Sequence, residues 1–259
     1  MSSGISPQAV VDPSAKIGKD VTVGPFCTVG PDVTLGDGVV LRSHVSVEGH
    51  TEVGARTEIW PFASVGAAPQ DLKYDGEPTR VVIGSENTIR ESTTINRGTV
   101  GGGGLTRMGD GNLLMAYSHI GHDCQIGDRN IFANGATLAG HVEVGSDATI
   151  GAASGVHQFC RVANFAFIGG YSVVTQDAMP WVTIVGNRAK AYGLNIVGLK
   201  RRGYSKETIQ ALKNCYATLF RKKLQLKEAL EQVEQEHGSI DEVRYFIDFV
   251  RSSERGVVR

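Results

Sequence analysis

Of the seven histidines in this 259-residue chain, four fall between positions 119 and 157: His119, His122, His141 and His157. Imidazole takes up a proton near neutral pH, so a gathered set of rings suits general-base removal of a proton from a weak nucleophile such as a hydroxyl. One ring is enough for that step. Such assistance contributes about 10²- to 10⁴-fold, so binding and oxyanion stabilisation must supply the remainder. Two other groupings carry chemistry. Gln70, Asp71, Lys73 and Tyr74 cluster in one short run, more than mere linkage requires. Arg201 and Arg202 are adjacent guanidinium groups, whose planar donors suit phosphate and which otherwise form a solvated charge run. The cysteines, Cys27, Cys124, Cys160 and Cys215, show neither a CxxC pair nor a disulfide framework, which fits a reducing compartment and argues against a zinc ribbon.

Whether the histidines meet depends on the elements that hold them. An apolar residue recurs at every sixth position from Ile5 to Val65, resumes at Ile83, Ile89 and Ile95, and runs again from Met108 to Val174. Four places after it stands a small or narrow residue such as Ala15, Cys27, Val33 or Ala63, and the residue directly after it is often glycine. A period of six fits neither a 3.6-residue helix nor a plain alternating strand. It predicts a short strand and a bend, three of which close one triangular coil of a solenoid, with coils stacked about 4.8 Å apart by parallel pairing. The apolar residue fills the interior. The narrow one fits where the corner tightens, which makes Cys27, Cys124 and Cys160 small hydrophobes.

Three hexads make a coil, so the hexads opening at Ile120, Leu138 and Val156 stack on one another. His122 and His141 then share a corner about one rung apart, with His157 in the next rung and His119 just before that corner, all within roughly 10 Å along the axis. Gly140 stacks on His122, where its N–H could face a developing oxyanion with no side chain in the way.

Two segments break the repeat, residues 67–82 and 101–107, and are expected as loops thrown out from the prism, where solenoids often place function. After Pro180 the pattern becomes helical: Ile209, Leu212, Tyr216, Leu219 and Phe220 recur at three- and four-residue spacing, and Leu226 to Glu236 continues as an amphipathic segment. Ser239 to Glu242 reads as a capping box opening a last helix from Ile240 to Val250. The expected organisation is therefore a β-helix over 1–186 and an α-helical C-terminal domain over 187–259 covering one end of the solenoid. Residues 187–259 hold a net charge of +6 against −7 for the remainder, so the tail should meet an acidic partner. No apolar run is long enough to cross a bilayer, and Met1 to Val10 lacks the h-region of a signal peptide, so a cytoplasmic protein without a membrane span is expected.

The hexads resemble the hexapeptide-repeat family over roughly three quarters of the chain, which implies that the parallel β-helix is left-handed, against the usual crossover rule. Five motifs narrow the resemblance: Ser118-His-Ile-Gly-His-Asp-Cys124, Gln70-Asp-Leu-Lys-Tyr74, Leu138-Ala-Gly-His141, Val156-His-Gln-Phe159 and Gly198-Leu-Lys-Arg-Arg-Gly203. In that order, and essentially end to end, they are similar to the UDP-N-acetylglucosamine O-acyltransferase family. The resemblance implies transfer of an (R)-3-hydroxyacyl chain from acyl carrier protein to the glucosamine 3-OH, the first step of lipid A synthesis. It also implies a homotrimer with sites between subunits, and neither cofactor, metal nor nucleic acid.

By the same resemblance His122 is the general base and Asp123 its orienting partner, a pairing of neighbours that needs the corner bend, with Asp71 as the competing orienter. His119, Gln70, Asp71, Lys73 and His141 would position sugar and pyrophosphate. His157, Gln158, Asn195, Arg201 and Arg202 would bind the nucleotide end. Gly170 lies where the family sets acyl-chain depth, and its missing side chain implies a long chain. Val197 departs from relatives that hold an acidic residue near the ribose, and some relatives acylate a 3-amino sugar.

Competing classes are weaker. An N-acyltransferase of the same pathway carries an N-terminal uridine-binding domain, for which a repeat starting at Ile5 leaves no room. A γ-type carbonic anhydrase would draft His119, His122 and His141 onto zinc, leaving the arginine pair and basic tail without purpose. A non-catalytic scaffold would form no acylated product.

Overall fold

The sixfold pattern is realised as strands of mostly two residues joined by corners. The structure, a computed structural model, describes residues 4–222 and 224–259. Three sheets of 11, 9 and 8 strands run along the prism, parallel throughout apart from one terminal strand. Each hexad pairs with the hexad one coil later, so that Ile120 lies beside Leu138 and Leu138 beside Val156. The apolar column of the first sheet, Val23, Leu41, Ile59, Ile89, Leu114, Phe132, Ile150 and Ile168, is buried. Burying each such side chain is worth about 1.5–3 kcal/mol, repeated coil after coil.

The corners require a left-handed residue, and they take it far more often from ordinary side chains than from glycine. Asp123, His141 and Phe159 have φ of 60°, 61° and 62° and lie above one another. Each costs about 1–2 kcal/mol in an L-residue, which the coil holds in place by backbone bonds such as His141 N–H to His122 O. All four cysteines are buried, three of them in the narrow slot as expected.

Where that slot holds asparagine, the interior is polar. Asn87, Asn112 and Asn130 form a ladder in which the Asn112 N–H donates to Asn87 Oδ1 and the Asn130 N–H to Asn112 Oδ1, both at 2.8 Å.

The first break in the repeat is shorter than expected. Arg80–Ile83 already pairs with His50–Val53, and Ser64–Ala67 is strand, so the excursion covers only residues 68–79. Arg97 pins it: its guanidinium donates to Tyr74 Oη at 2.9 Å and to Gly66 O at 2.7 Å. The second break is not thrown outward along its length. Val100–Gly102 forms a 3₁₀ turn and Leu105–Met108 is a strand of the third sheet.

The passage to helices comes later than residue 186. Val182–Val185 and Lys190–Leu194 form an antiparallel hairpin about Gly186, which closes the edge of the first sheet. Helices α1 (Ile196–Arg201), α2 (Lys206–Phe220), α3 (Leu226–His237) and α4 (Asp241–Arg251) follow. Ser205 caps α2 by accepting from Thr208 N–H, and Gln225 with Glu228 forms a capping box on α3. The box expected at Ser239 does not form: α4 starts one residue later, with Ile240 as N-cap and no side-chain cap. The turn Ile240 N–H to His237 O holds that entry through backbone instead. Trp181 joins coil to helices, stacked on Phe165 and edge-on to Tyr204 and Tyr245.

Candidate active site

The corner bend does for His122 what a flat strand could not. Asp123, the next residue, takes φ 60° and turns its carboxylate back under the ring. His122 Nδ1 lies 2.8 Å from Asp123 Oδ2. A carboxylate accepts only, so Nδ1 carries the proton and Nε2 is left as the acceptor that faces outward. Asp71, the competing orienter, instead accepts from the Lys73 N–H within its own loop. The Asp123 side chain is 1% exposed, and both of its oxygens accept from protein donors. They accept from Thr99 N–H at 2.9 and 3.1 Å and from the Thr99 hydroxyl at 2.7 Å. The Asp123 N–H in turn donates to Thr106 Oγ1.

One rung down, Gly140 makes room for the His122 ring. A Cβ at Gly140 would lie 2.5–3.0 Å from three ring atoms. Among the described residues none accepts a hydrogen bond from the Gly140 N–H. His141 meets His122 edge to face at 4.9 Å and stacks flat on Phe159 at 4.5 Å. Its Nε2 is 3.9 Å from Asp123 Oδ2. Burial pushes both His119 and His141 below the usual imidazole value, so both are neutral at neutral pH. His119 also bonds to Thr94 Oγ1 at 2.7 Å.

The other expected residues divide between this corner and another. Asp71, Lys73, Tyr74, Thr99, His141 and Phe159 wall a cavity of about 290 Å³, beside which Gln70 is exposed. His157 and Gln158 are exposed on the rung below, with the Arg255 guanidinium 3.4 Å from His157 Nδ1. Asn195, Arg201 and Arg202 are brought together in a separate cleft of about 440 Å³, with Val197, Asp147 and Phe165. There Arg202 bonds to Asp147 Oδ1 at 2.6 Å and lies over the Phe165 ring, while Asn195 caps α1. That is more structure than a solvated charge run would show. Gly170 is exposed at a third corner, beside Tyr171.

Sequence reasoning missed Phe159, Thr99 and Arg255 as parts of the site. Phe159 was within reach, since it stands one coil after His141. A cation could be sought at His122, Asp123 and His141, whose ligand atoms lie within 4.8 Å of one another. His119, which a zinc triad would have included, is not in that group. Asp123 Oδ2 already accepts from Thr99 and His122, so the set fits a base with its orienting carboxylate better than an ion site.

Comparison with known proteins places the whole chain in a family. Residues 14–49 and 106–140 match the bacterial transferase hexapeptide model, and residues 177–258 match the second domain of UDP-N-acetylglucosamine O-acyltransferase. The acyl-[acyl-carrier-protein]–UDP-N-acetylglucosamine O-acyltransferase of Burkholderia mallei is 49% identical over 202 residues, covering 76% of this chain and 77% of that one. The chain belongs to the UDP-N-acetylglucosamine O-acyltransferase family. Solved structures of the family carry the likeness end to end. LpxA of Acinetobacter baumannii superposes with a TM-score of 0.96 at 47% identity, covering 98% of this chain and 99% of the other. The Arabidopsis UDP-N-acetylglucosamine acyltransferase does so with a TM-score of 0.86 at 38% identity, covering 98% and 100%. Among the described residues no helix is long and apolar enough to cross a membrane.

Proposed function

We propose that this chain transfers an (R)-3-hydroxyacyl group from acyl carrier protein to the 3-OH of UDP-N-acetylglucosamine, with His122 as the general base. The observation that carries the mechanism is the 2.8 Å bond between His122 Nδ1 and the buried Asp123 carboxylate. It fixes the tautomer in which Nε2 can accept a proton. His122 Nε2 takes the hydroxyl proton as the sugar oxygen attacks the thioester carbonyl, forming the C–O bond. The Gly140 N–H, which no described residue engages, faces the developing oxyanion. As the C–S bond breaks, the imidazolium returns its proton to the departing thiolate. Asp123 balances the transient charge without itself taking the proton.

Substrate contacts follow the two clefts. Gln70, Asp71, Lys73, His119 and His141 position sugar and pyrophosphate around His122. Asn195, Arg201 and Arg202, with His157 and Gln158, receive the nucleotide end. His122 and the arginine cleft lie on different corners of one prism, since the hexad of Ile120 joins the second sheet to the third while Asp147 joins the third to the first. A neighbouring copy would bring one against the other, and this supports a homotrimer with sites between subunits. The acyl chain then crosses the outer face of the second sheet, past Gly155 and Val173, toward Gly170, whose lack of a side chain leaves room for a long chain. The basic C-terminal segment suits an acidic carrier, and a cytoplasmic protein is part of this reading. Incubation with UDP-N-acetylglucosamine and a ladder of 3-hydroxyacyl carriers, followed by mass analysis, tests this: one acylated sugar nucleotide is expected. Product from His122→Ala at the wild-type rate would refute the mechanism.

A further inference from the structure

The glycine-rich run after Arg97 is left without a role by the mechanism above, yet its shape is dictated by one carboxylate. A Cβ on Gly102 would lie 2.1–2.5 Å from the Asp123 carboxylate, and one on Gly98 would lie 2.2 Å from Leu105 N, 2.4 Å from Gly104 C and 2.7 Å from Asp123 Oδ1. Both glycines are therefore required by close approach. What they bring close is Thr99, itself buried, which makes three hydrogen bonds to the Asp123 oxygens. The Thr99 hydroxyl also accepts from the Gly102 N–H at 3.2 Å. The result is a directed chain from Gly102 N–H to Thr99 Oγ1–H to Asp123 Oδ2, which on its other side receives His122 Nδ1–H. Hydrogen bonds in series polarise one another, and those to an ionised group are the strong ones.

We infer that Thr99 is a positioning residue of the acyl transfer, the third member of a His122–Asp123–Thr99 relay, and that the glycine-rich loop exists to deliver it. The inference rests on His122 being the base. Without the Thr99 hydroxyl, Asp123 Oδ2 loses its shortest protein donor, and the carboxylate, then held on that side by the Thr99 N–H alone, is less firmly directed at His122. Thr99 lines the same cavity as Asp71 and Lys73, but its hydroxyl is turned to Asp123 and not to the substrate. Its removal should therefore be felt in kcat and not in binding.

The test compares Thr99→Val, which keeps shape and loses the donor, with Thr99→Ser, which restores it. Thr99→Val should fold and show kcat lowered about 10- to 100-fold with KM for both substrates within about twofold of wild type. Thr99→Ser should recover most of the rate. Combined with Asp123→Asn, Thr99→Val should add no further loss, because it acts through that carboxylate. Nitrogen-15 spectra of His122 should show Nδ1–H weakened in Thr99→Val. Gly102→Ala, which removes no donor but forces the loop off Asp123, should also lower kcat if Thr99→Val proves insoluble. Wild-type kcat in Thr99→Val or Gly102→Ala, with His122→Ala inactive, would overturn the relay while leaving the base assignment intact. An active His122→Ala would instead remove the base on which the relay depends.

Discussion

At the scale of single residues, the site holds two rings, His119 and His141, that burial keeps from taking up a proton. His122→Ala should lower turnover at least about 10²-fold while the β-helix still folds, with a lowered melting temperature because the buried Asp123 carboxylate loses its Nδ1–H donor. His119 titrates below its ordinary value first through burial and then through the neighbouring His122. The unfolded chain binds that proton first as pH falls below about 6.5, so stability present above this value declines as pH drops toward the lowered folded value. Urea midpoints of His119→Asn between pH 7 and 5 should fall less steeply than those of wild type. Burial raises the thiols too, Cys124 and Cys215 to about 12 and Cys160 to about 11. These three cysteines should resist alkylation at neutral pH in the folded protein and react fully in denaturant, as peptide mass mapping would show.

Individual elements show why some features were legible in the sequence and others were not. The hexad period survives every change of side chain because it reports the geometry of the coil, so the stacking of Ile120, Leu138 and Val156 could be derived and, with it, the meeting of His122 and His141. The bond from Thr99 to Asp123 could not, since it spans 24 residues and a loop with no period. The asparagine ladder was equally hidden: Asn87, Asn112 and Asn130 occupy a slot where the repeat elsewhere places small or apolar side chains. Ser239 failed as a cap because capping signatures are local and the start of α4 is set by the packing of Val243, Phe246 and Ile247. Replacing Asn112 by leucine should cost at least about 1–3 kcal/mol in denaturant unfolding, since it leaves the Asn130 N–H without its acceptor. Arg97→Ala should release residues 68–79, which Arg97 grips through Tyr74 while anchored on Gly66 O, detectable as faster amide exchange confined to that loop.

For the molecule as a whole, the separation of the two clefts makes cooperation between copies testable. His122→Ala and Arg201→Ala, each inactive by itself, should regain part of the wild-type rate when unfolded and refolded together, because some mixed assemblies hold one intact pair of clefts. No recovery, despite mixed oligomers by mass, would mean that each subunit works by itself. The same coil also bears on how selectivity for chain length can change. Between the rungs of His122 and Gly170 the coils stack about 4.8 Å apart, and no coil can be divided without breaking the register of all three sheets. Such a gauge is graduated in fixed steps. Its reading moves finely only when a bulkier side chain blocks the end, as Gly170→Leu should do by shifting preference to shorter acyl groups, or coarsely when an entire 18-residue turn is gained or lost.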